Sequence, residues 1–138
     1  MRKISEVSRI AGVSRRALQY YDDEGLLVVE RSEYNHRLYD DDSMDKIWQI
    51  LLYKEMGFEL EEIKQLLSVP AAEREEYLDL RMREIGNEIE KLRSQAGLIF
   101  MVLIHGIPHP PEENKGMTYV ESIRALRKNI RENIKENM

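Results

Sequence analysis

Four polar or aromatic side chains near the amino terminus have the types and spacing of a surface that reads nucleic acid. They follow a Gly12-Val13-Ser14 turn, and they are Arg15, Arg16, Gln19 and Tyr20. Arginine binds guanine or phosphate, glutamine pairs with adenine, and a tyrosine hydroxyl reaches backbone oxygens. The chemistry indicated is hydrogen bonding rather than catalysis. Since the sequence has no Ser/His/Asp, phosphate-loop or dinucleotide-binding pattern, we expect no enzyme.

Two short helices must position these side chains. Residues 5–11 are amphipathic, and Gly12 supplies a turn. Ser14 is a natural N-cap for a helix over 15–22, whose Leu18 and Tyr21 face inward. This pattern predicts a helix-turn-helix in which the second helix presents its outer face to the major groove. The alternative is that this outer face is only solvated.

Residues 26–39 differ from their surroundings and predict a small β-hairpin. Residues 26–29 are β-prone, 32–35 are rich in turn formers, and 37–39 return to extended character. The hairpin carries Arg31, His36 and Arg37, as expected of a wing that lies against phosphates. An isolated two-stranded hairpin is marginal in water, so we expect it to pack through Leu38 and Tyr39.

Two further helices complete a predicted DNA-binding domain over residues 1–70. Asp40 or Asp41 caps the third helix, which Gly57 stops, and its predicted apolar face holds Met44, Ile47, Trp48, Leu51, Leu52 and Met56. The fourth is closed by Pro70 and carries Leu60, Ile63, Leu66 and Leu67.

After Pro70 the apolar spacing changes to a heptad. The steps alternate between four and three along Leu78, Met82, Ile85, Ile89, Leu92, Ala96, Ile99 and Leu103. This predicts a dimerisation helix over 71–104 that forms a coiled coil with a second copy. An intramolecular core is the alternative. Gly86 and Gly97 weaken this helix but can permit close helix approach.

The last segment, 105–138, is predicted to be a proline-containing loop and a final helix. That helix carries Tyr119, Ile123, Leu126, Ile130 and Ile134. Residues 98–104 are apolar on every side, so either the last helix and the partner subunit cover them, or with Met117 and Tyr119 they line a pocket for a small effector. His105, His109, Glu112 and Glu113 offer metal-ligand types, but the prolines and glycine break helical register, so we expect a structural loop and no metal.

Composition restricts the class of protein. The chain has 138 residues and no cysteine, which excludes disulfides and thiolate metal sites. The longest apolar run has seven residues, too few for a membrane span, and no secretory segment follows Met1, so we expect a cytoplasmic protein.

The net charge of −5 argues at first against a nucleic-acid ligand. Residues 1–39, however, hold seven Lys/Arg and six Asp/Glu, whereas residues 40–80 hold four and twelve. The acidity therefore lies in the middle of the chain, and the predicted DNA-facing segment is mildly basic.

Several motifs along residues 1–70 together resemble the MerR-type transcriptional regulators. They are Ile4-Ser5-Glu6-Val7, Ala11-Gly12-Val13-Ser14, the run Leu18 to Leu27, Arg37-Leu38-Tyr39-Asp40, Met56-Gly57-Phe58, Glu62-Ile63 and Leu66-Leu67. Their order and spacing make the resemblance highly specific, and the heptad helix lies where that family places its antiparallel dimerisation coil.

The resemblance implies a mainly α fold: a winged helix-turn-helix with a small hairpin wing, a long coiled-coil helix and a short carboxyl-terminal helix. It implies a homodimer that binds a near-palindromic promoter site and distorts the DNA, acting on RNA polymerase indirectly and in response to an effector of unknown identity. Arg16, Tyr20 and Arg37 match positions that the family uses on DNA. The predicted DNA-binding set is Arg15, Arg16, Gln19, Tyr20, Arg31, His36, Arg37 and Lys54.

Some positions depart from the family pattern. Gln19 stands where an arginine is frequent, and Asn35-His36 where Gly-Tyr is usual, although asparagine tolerates a positive φ. The absence of cysteine excludes the thiolate-metal subgroup, and about 34 residues after the coil are too few for a separate drug-binding domain. Two alternatives stay open: an interaction module that forms mixed dimers with a longer relative, and a small architectural or excisionase-like protein.

Overall fold

The computed structural model describes residues 1–113 and 116–136. The elements in chain order are β1 (Arg2–Lys3), α1 (Ile4–Ala11), α2 (Arg15–Asp23), β2 (Glu30–Arg31), β3 (Arg37–Tyr39), α3 (Asp41–Glu55), α4 (Leu60–Ser68), α5 (Ala71–His105) and α6 (Tyr119–Glu136). Residues 114, 115, 137 and 138 of the predicted last segment, and the side chain of Ile134, lie outside the described residues. The mainly α fold with a small wing is confirmed. The chain divides into two compact units, one ending at Tyr77 and the other beginning at Leu78.

In the first unit, α1 and α2 form the predicted helix-turn-helix. Gly12 ends α1 with a φ of 71°, in the left-handed region, and its N–H donates to the carbonyl oxygen of Ser8 over 2.9 Å. This conformation carries no steric penalty for glycine, which explains why the turn has one there. Ser8 also donates from Oγ to the carbonyl oxygen of Val13 over 2.6 Å, tying the turn to α1.

The wing belongs to a three-stranded antiparallel sheet with β3 in the centre. β1 places Arg2 opposite Tyr39 and Lys3 opposite Leu38, while β2 places Arg31 opposite Arg37. The sequence prediction missed β1, which is only two residues long. The added strand explains how so small a hairpin is held, since three strands against a helix are more stable than two alone.

The predicted strand at 26–29 is wrong, because β2 begins only at Glu30. Leu26 and Leu27 are both buried, whereas successive residues of a surface strand point to opposite faces. Gly25, with a φ of 78°, reverses the chain, and the Leu26 N–H donates to the carbonyl oxygen of Tyr21 over 2.9 Å. The apolar run is therefore a core-filling loop.

Asp40 caps α3 as predicted, accepting from the Ser43 N–H over 2.8 Å, and backbone and side-chain hydrogen bonds from Ser43 lower the pKa of the Asp40 carboxyl. α4 begins with a capping box between Glu59 and Glu62. The predicted apolar face of α3 is partly wrong, because two apolar stripes run along this helix.

Two stripes at helical spacing compete on α3, and the structure buries the one that holds Ser43, Ile47, Ile50 and Tyr53. Ile47 was predicted inward, whereas Ile50 and Tyr53 were missed. Met44 and Leu51 are half-buried, and Trp48, Leu52 and Met56 are exposed. Periodicity identifies both stripes but does not say which one meets the rest of the core.

The core of the first unit draws on α1 to α4, on β3 and on the loops between them. Its buried apolar side chains are Val7, Leu18, Tyr21, Leu26, Leu27, Tyr39, Ile47, Ile50, Tyr53, Phe58, Ile63 and Leu66. Phe58 meets Tyr53 edge to face, with ring centroids 6.1 Å apart, and so closes the turn after α3.

In the second unit, α6 packs against α5. Gly97 lies so close to Ile130 that an added Cβ would overlap that side chain, which confirms the expected close approach at this glycine. At Gly86 an added Cβ would meet no described atom within 4 Å, so within this chain the same expectation is wrong there. Leu98, Met101 and Val102 are half-buried, whereas Phe100 and Ile104 stay exposed. The last helix therefore covers only part of the apolar turn.

Candidate nucleic-acid interface

The outer face of α2 carries the first four predicted contact residues. Ser14 caps the helix, its Oγ accepting from the Ala17 N–H over 3.0 Å, and Leu18 and Tyr21 anchor the inner face in the core. Arg15, Arg16, Gln19 and Tyr20 are all exposed. A short helix fixed at its start and along its buried side holds its outer side chains at set angles, which base recognition requires.

A groove of about 320 Å³ joins α2 to the wing. Five of the eight predicted residues line it, namely Arg15, Gln19, Arg31, His36 and Arg37. Lys3, Ile4, Ser5 and Asn35 complete the lining. The sequence did not predict Lys3 as part of this surface. Lys3 lies beside the wing because β1 pairs with β3, and a strand of two residues is too short to show a recognisable pattern.

An ion-pair cluster behind the groove ties the wing to α2. Asp22 accepts from Arg37 Nε over 2.8 Å and from Arg31 over 3.2 Å, and Arg37 also lies 3.4 Å from Asp23. The side chains of Arg37 and Asp22 are only 18% and 16% exposed. The hydrogen bond to Asp22, together with the nearby carboxylates and against the opposing effect of burial, raises the pKa of Arg37.

This cluster changes the interpretation of two predicted residues. Arg37 is held in place by two carboxylates, so its first role is to position the wing. Arg31 shares Asp22 but is more exposed, at 40%. Asp22 is the last residue of the helix predicted over 15–22, and nothing in its local pattern reveals a bond to a residue fifteen positions away.

The tip of the wing depends on Asn35, which has a φ of 61°. Its N–H donates to the carbonyl oxygen of Ser32 over 2.9 Å, and the Ser32 N–H donates to that of His36 over 2.8 Å. Asparagine is among the residues that accept the left-handed region most readily, so the turn survives without a glycine, as expected. His36 is thereby presented at the exposed edge of the groove.

Arg16, Tyr20 and Lys54 lie outside the lining of the groove. Arg16 and Tyr20 project from the same helix into solvent. Lys54, on α3, places Nζ 3.4 Å from the Tyr21 hydroxyl and 5.9 Å from the centre of that ring. It thus contacts the inner side of α2 rather than the residues of the groove.

The predicted dimerisation residues form a largely exposed stripe on α5. Met82 is 71% exposed, Leu92 64%, and Ile89, Ile99 and Leu103 are also exposed. Leu78 and Ile85 are half-buried, and Ala96 is exposed. With 3.6 residues per turn, this stripe lies on the side of α5 away from Ser94, which is buried beneath α6.

In the described part of the chain, no three His, Asp or Glu side chains are grouped as a metal site would require. Among those residues, too, no helix combines the length and the apolar character that crossing a membrane demands.

The fold and the groove define a winged helix-turn-helix protein. A model described as MerR HTH family regulatory protein matches residues 2–69, and one described as MerR, DNA binding matches residues 45–97. The mercuric resistance operon regulatory protein of Bacillus cereus is 31% identical over 98 residues, which cover 66% of this chain and 74% of that protein. The chain belongs to the MerR family.

Two further similarities extend along the chain. The HTH-type transcriptional activator TipA of Streptomyces coelicolor is 40% identical over 114 residues, which are 80% of this chain but only 45% of TipA. The crystal structure of MtaN, the amino-terminal part of the Bacillus subtilis multidrug transporter activator, matches with a TM-score of 0.69 and 31% identity. That match covers 75% of this chain and 98% of MtaN. The named relatives are regulators.

Proposed function

We propose that this protein is a homodimeric transcriptional regulator that binds a near-palindromic promoter site. The observation that carries the proposal is the groove in which Arg15 and Gln19 of α2 meet Arg31 and His36 of the wing. Membership of the MerR family and the names of its relatives as transcriptional regulators support it.

The recognition helix supplies base contacts, and the wing supplies phosphate contacts. Arg15, Arg16 and Gln19 are exposed on one face of α2, where arginine and glutamine read purine edges in the major groove. Tyr20 adds a hydroxyl for a phosphate oxygen. Arg31, His36 and Lys3 line the groove with cationic or hydrogen-bonding groups. Arg37 holds the wing against α2 through its ion pair with Asp22.

Dimerisation uses the exposed heptad stripe of α5. An apolar stripe that is sustained over more than three heptads and left open to water favours a second copy as its cover. We assign residues 1–70 to DNA binding, 71–104 to the coil, and 105–138 to a cap or small effector region. Transcription then changes through distortion of the bound DNA, and RNA polymerase is affected indirectly.

Fluorescence anisotropy with a promoter fragment taken from beside the protein's own gene tests the DNA surface. Arg16→Ala is expected to weaken binding about tenfold and to reduce the preference for this fragment over one with a scrambled sequence, because Arg16 is assigned to base edges. Arg83→Ala, which removes an equal charge from an exposed position on α5, is the matched control and should change affinity less than about twofold. Equal losses in both variants would contradict a specific contact surface.

Light scattering tests the dimer. Leu92→Glu places a charge in the heptad stripe and is expected to produce monomers. Leu80→Glu makes the same change at an exposed leucine outside the stripe and should leave the dimer intact. A dimer that persists in Leu92→Glu would overturn the assigned interface, and a stable dimer that fails to bind DNA would favour mixed dimers with a longer relative.

A further inference from the structure

A second cationic groove, of about 300 Å³, lies between α5 and α6 within the second unit. Asn87, Glu90, Lys91 and Ser94 line it from α5, and Arg127 and Arg131 line it from α6. We propose that this groove binds a small ligand through a compact oxyanion, either a phosphate or a carboxylate. The proposed function names no ligand for this groove, and the proposal does not depend on DNA binding.

The charges of the groove favour an anion. Three cationic side chains face one carboxylate, and Arg131 donates to that carboxylate, Glu90. Neither Lys91 nor Arg127 takes part in an ion pair with any described residue. Glu90 therefore orients Arg131, while Lys91 and Arg127 are available to bind a ligand.

Ser94 provides the second, independent observation. Its side chain is 1% exposed, and its Oγ has no hydrogen-bond partner among the described residues. A buried hydroxyl without a partner destabilises a fold, so most such groups in proteins are satisfied. Ser94 lines the same groove as Arg127 and Lys91, and the proposal places a ligand oxygen within reach of its hydroxyl.

The groove is accessible in the proposed dimer. Ser94 lies about 160° around α5 from both Leu92 and Ala96, because each residue advances the helix by about 100°. A second copy that covers the heptad stripe therefore leaves this side of α5 open. Arginine, with its planar set of donors, and lysine, as a point charge, are the side chains that most often bind phosphate and carboxylate oxygens.

An NMR titration of the full chain with sodium phosphate, at ionic strength held constant with sodium chloride, tests the site. We expect saturable shifts centred on Ser94 and Arg127, and about tenfold weaker binding in Arg127→Gln. Arg124→Gln is the matched control, since Arg124 is on the same helix and outside this groove. It should change the affinity less than about twofold. Equal weakening in both variants would show a diffuse cationic surface and overturn the site, as would the absence of saturable shifts with both phosphate and acetate.

A parallel titration with sodium acetate distinguishes the two ligand classes. Tighter binding of phosphate assigns a phosphorylated ligand, and tighter binding of acetate a carboxylic acid. Ser94→Ala separates binding from folding. Its unfolding temperature without anion should equal or exceed that of the parent, because an unsatisfied hydroxyl is removed, while anion affinity falls severalfold. An unchanged affinity in Ser94→Ala would exclude the hydroxyl from the site.

Discussion

The two units of the chain distribute their apolar side chains in opposite ways. In the first unit, twelve buried apolar residues form a core that α1 to α4 and the sheet enclose. In the described part of the second unit, Ser94 is the one buried side chain, and large apolar residues of α5 and α6 face solvent. The first unit has what a domain needs to fold by itself, whereas the second leaves exposed the apolar surface that the proposed dimer would cover.

The same contrast applies to polar groups. In the first unit, the Asp22 cluster pairs each of its charges and fixes the wing. In the second, Lys91 and Arg127 have no ion-pair partner among the described residues, and they line the same groove as the buried Ser94. The paired charges of the first unit fix its wing, whereas the unpaired cations of the second are available to the proposed anion.

The largest expected effect is a core truncation. Ile50→Ala removes a fully buried side chain and should destabilise the first unit by about 3 kcal/mol at any protein concentration. Ile99→Ala makes the same deletion at an exposed position of α5, and its effect should depend on concentration because it acts through the proposed dimer. Amide hydrogen exchange, followed peptide by peptide at two concentrations, measures both. Similar losses of stability in the two variants, independent of protein concentration, would contradict the difference between the units.

The ion-pair cluster comes next. Asp22→Asn should lower the local stability of the wing by about 1–2 kcal/mol, because it frees two arginines from a largely buried carboxylate. Asp23→Asn is the control, since that carboxylate is 66% exposed and its pairing with Arg37 is worth about 0.5 kcal/mol or less. Hydrogen exchange of residues 30–39 reports the difference. An equal response to both changes would argue against Asp22 as the anchor.

Tyr39 tests whether an unpartnered hydroxyl always marks a ligand site. Its ring is fully buried, its hydroxyl has no partner among the described residues, and burial raises its pKa. Because this hydroxyl lies in a packed core, Tyr39→Phe should be neutral or stabilising by about 1 kcal/mol, with or without phosphate. Thermal unfolding in both conditions measures this. A phosphate-dependent shift would remove the distinction from Ser94.

The smallest effect concerns acid stability. The pKa of Asp40 is lowered in the folded state, so the stability that it contributes is complete above the ordinary carboxyl pKa and is lost as pH falls through the folded value. Asp40→Asn keeps a capping side chain that does not titrate. The loss of stability below about pH 4 should therefore be shallower in this variant, as urea unfolding at several pH values would show. An identical acid slope would mean that other carboxylates dominate.

Much of the fold and of the candidate interface was predictable because its signals are local. Ser14 and Asp40 each cap a helix by accepting a hydrogen bond from the backbone N–H three residues later. The positive φ at position 12 favours glycine there. The exposed face of α2 follows from the period of one helix. The errors arose where two local patterns are equally good: either stripe of α3 can be buried, and an apolar run after Gly25 can be a strand or a core-filling loop.

The sequence by itself determined the helix-turn-helix, the wing with its positive-φ asparagine, the heptad stripe and the family, since each depends on residue type and short spacing. Only the tertiary structure decided that Lys3 lies beside the wing, that Arg37 is anchored by Asp22, and that Ser94 lies beneath α6 beside Arg127. Those contacts join residues far apart in the chain. Which residues meet depends on how whole helices and strands pack, and local sequence propensity carries no information about that packing.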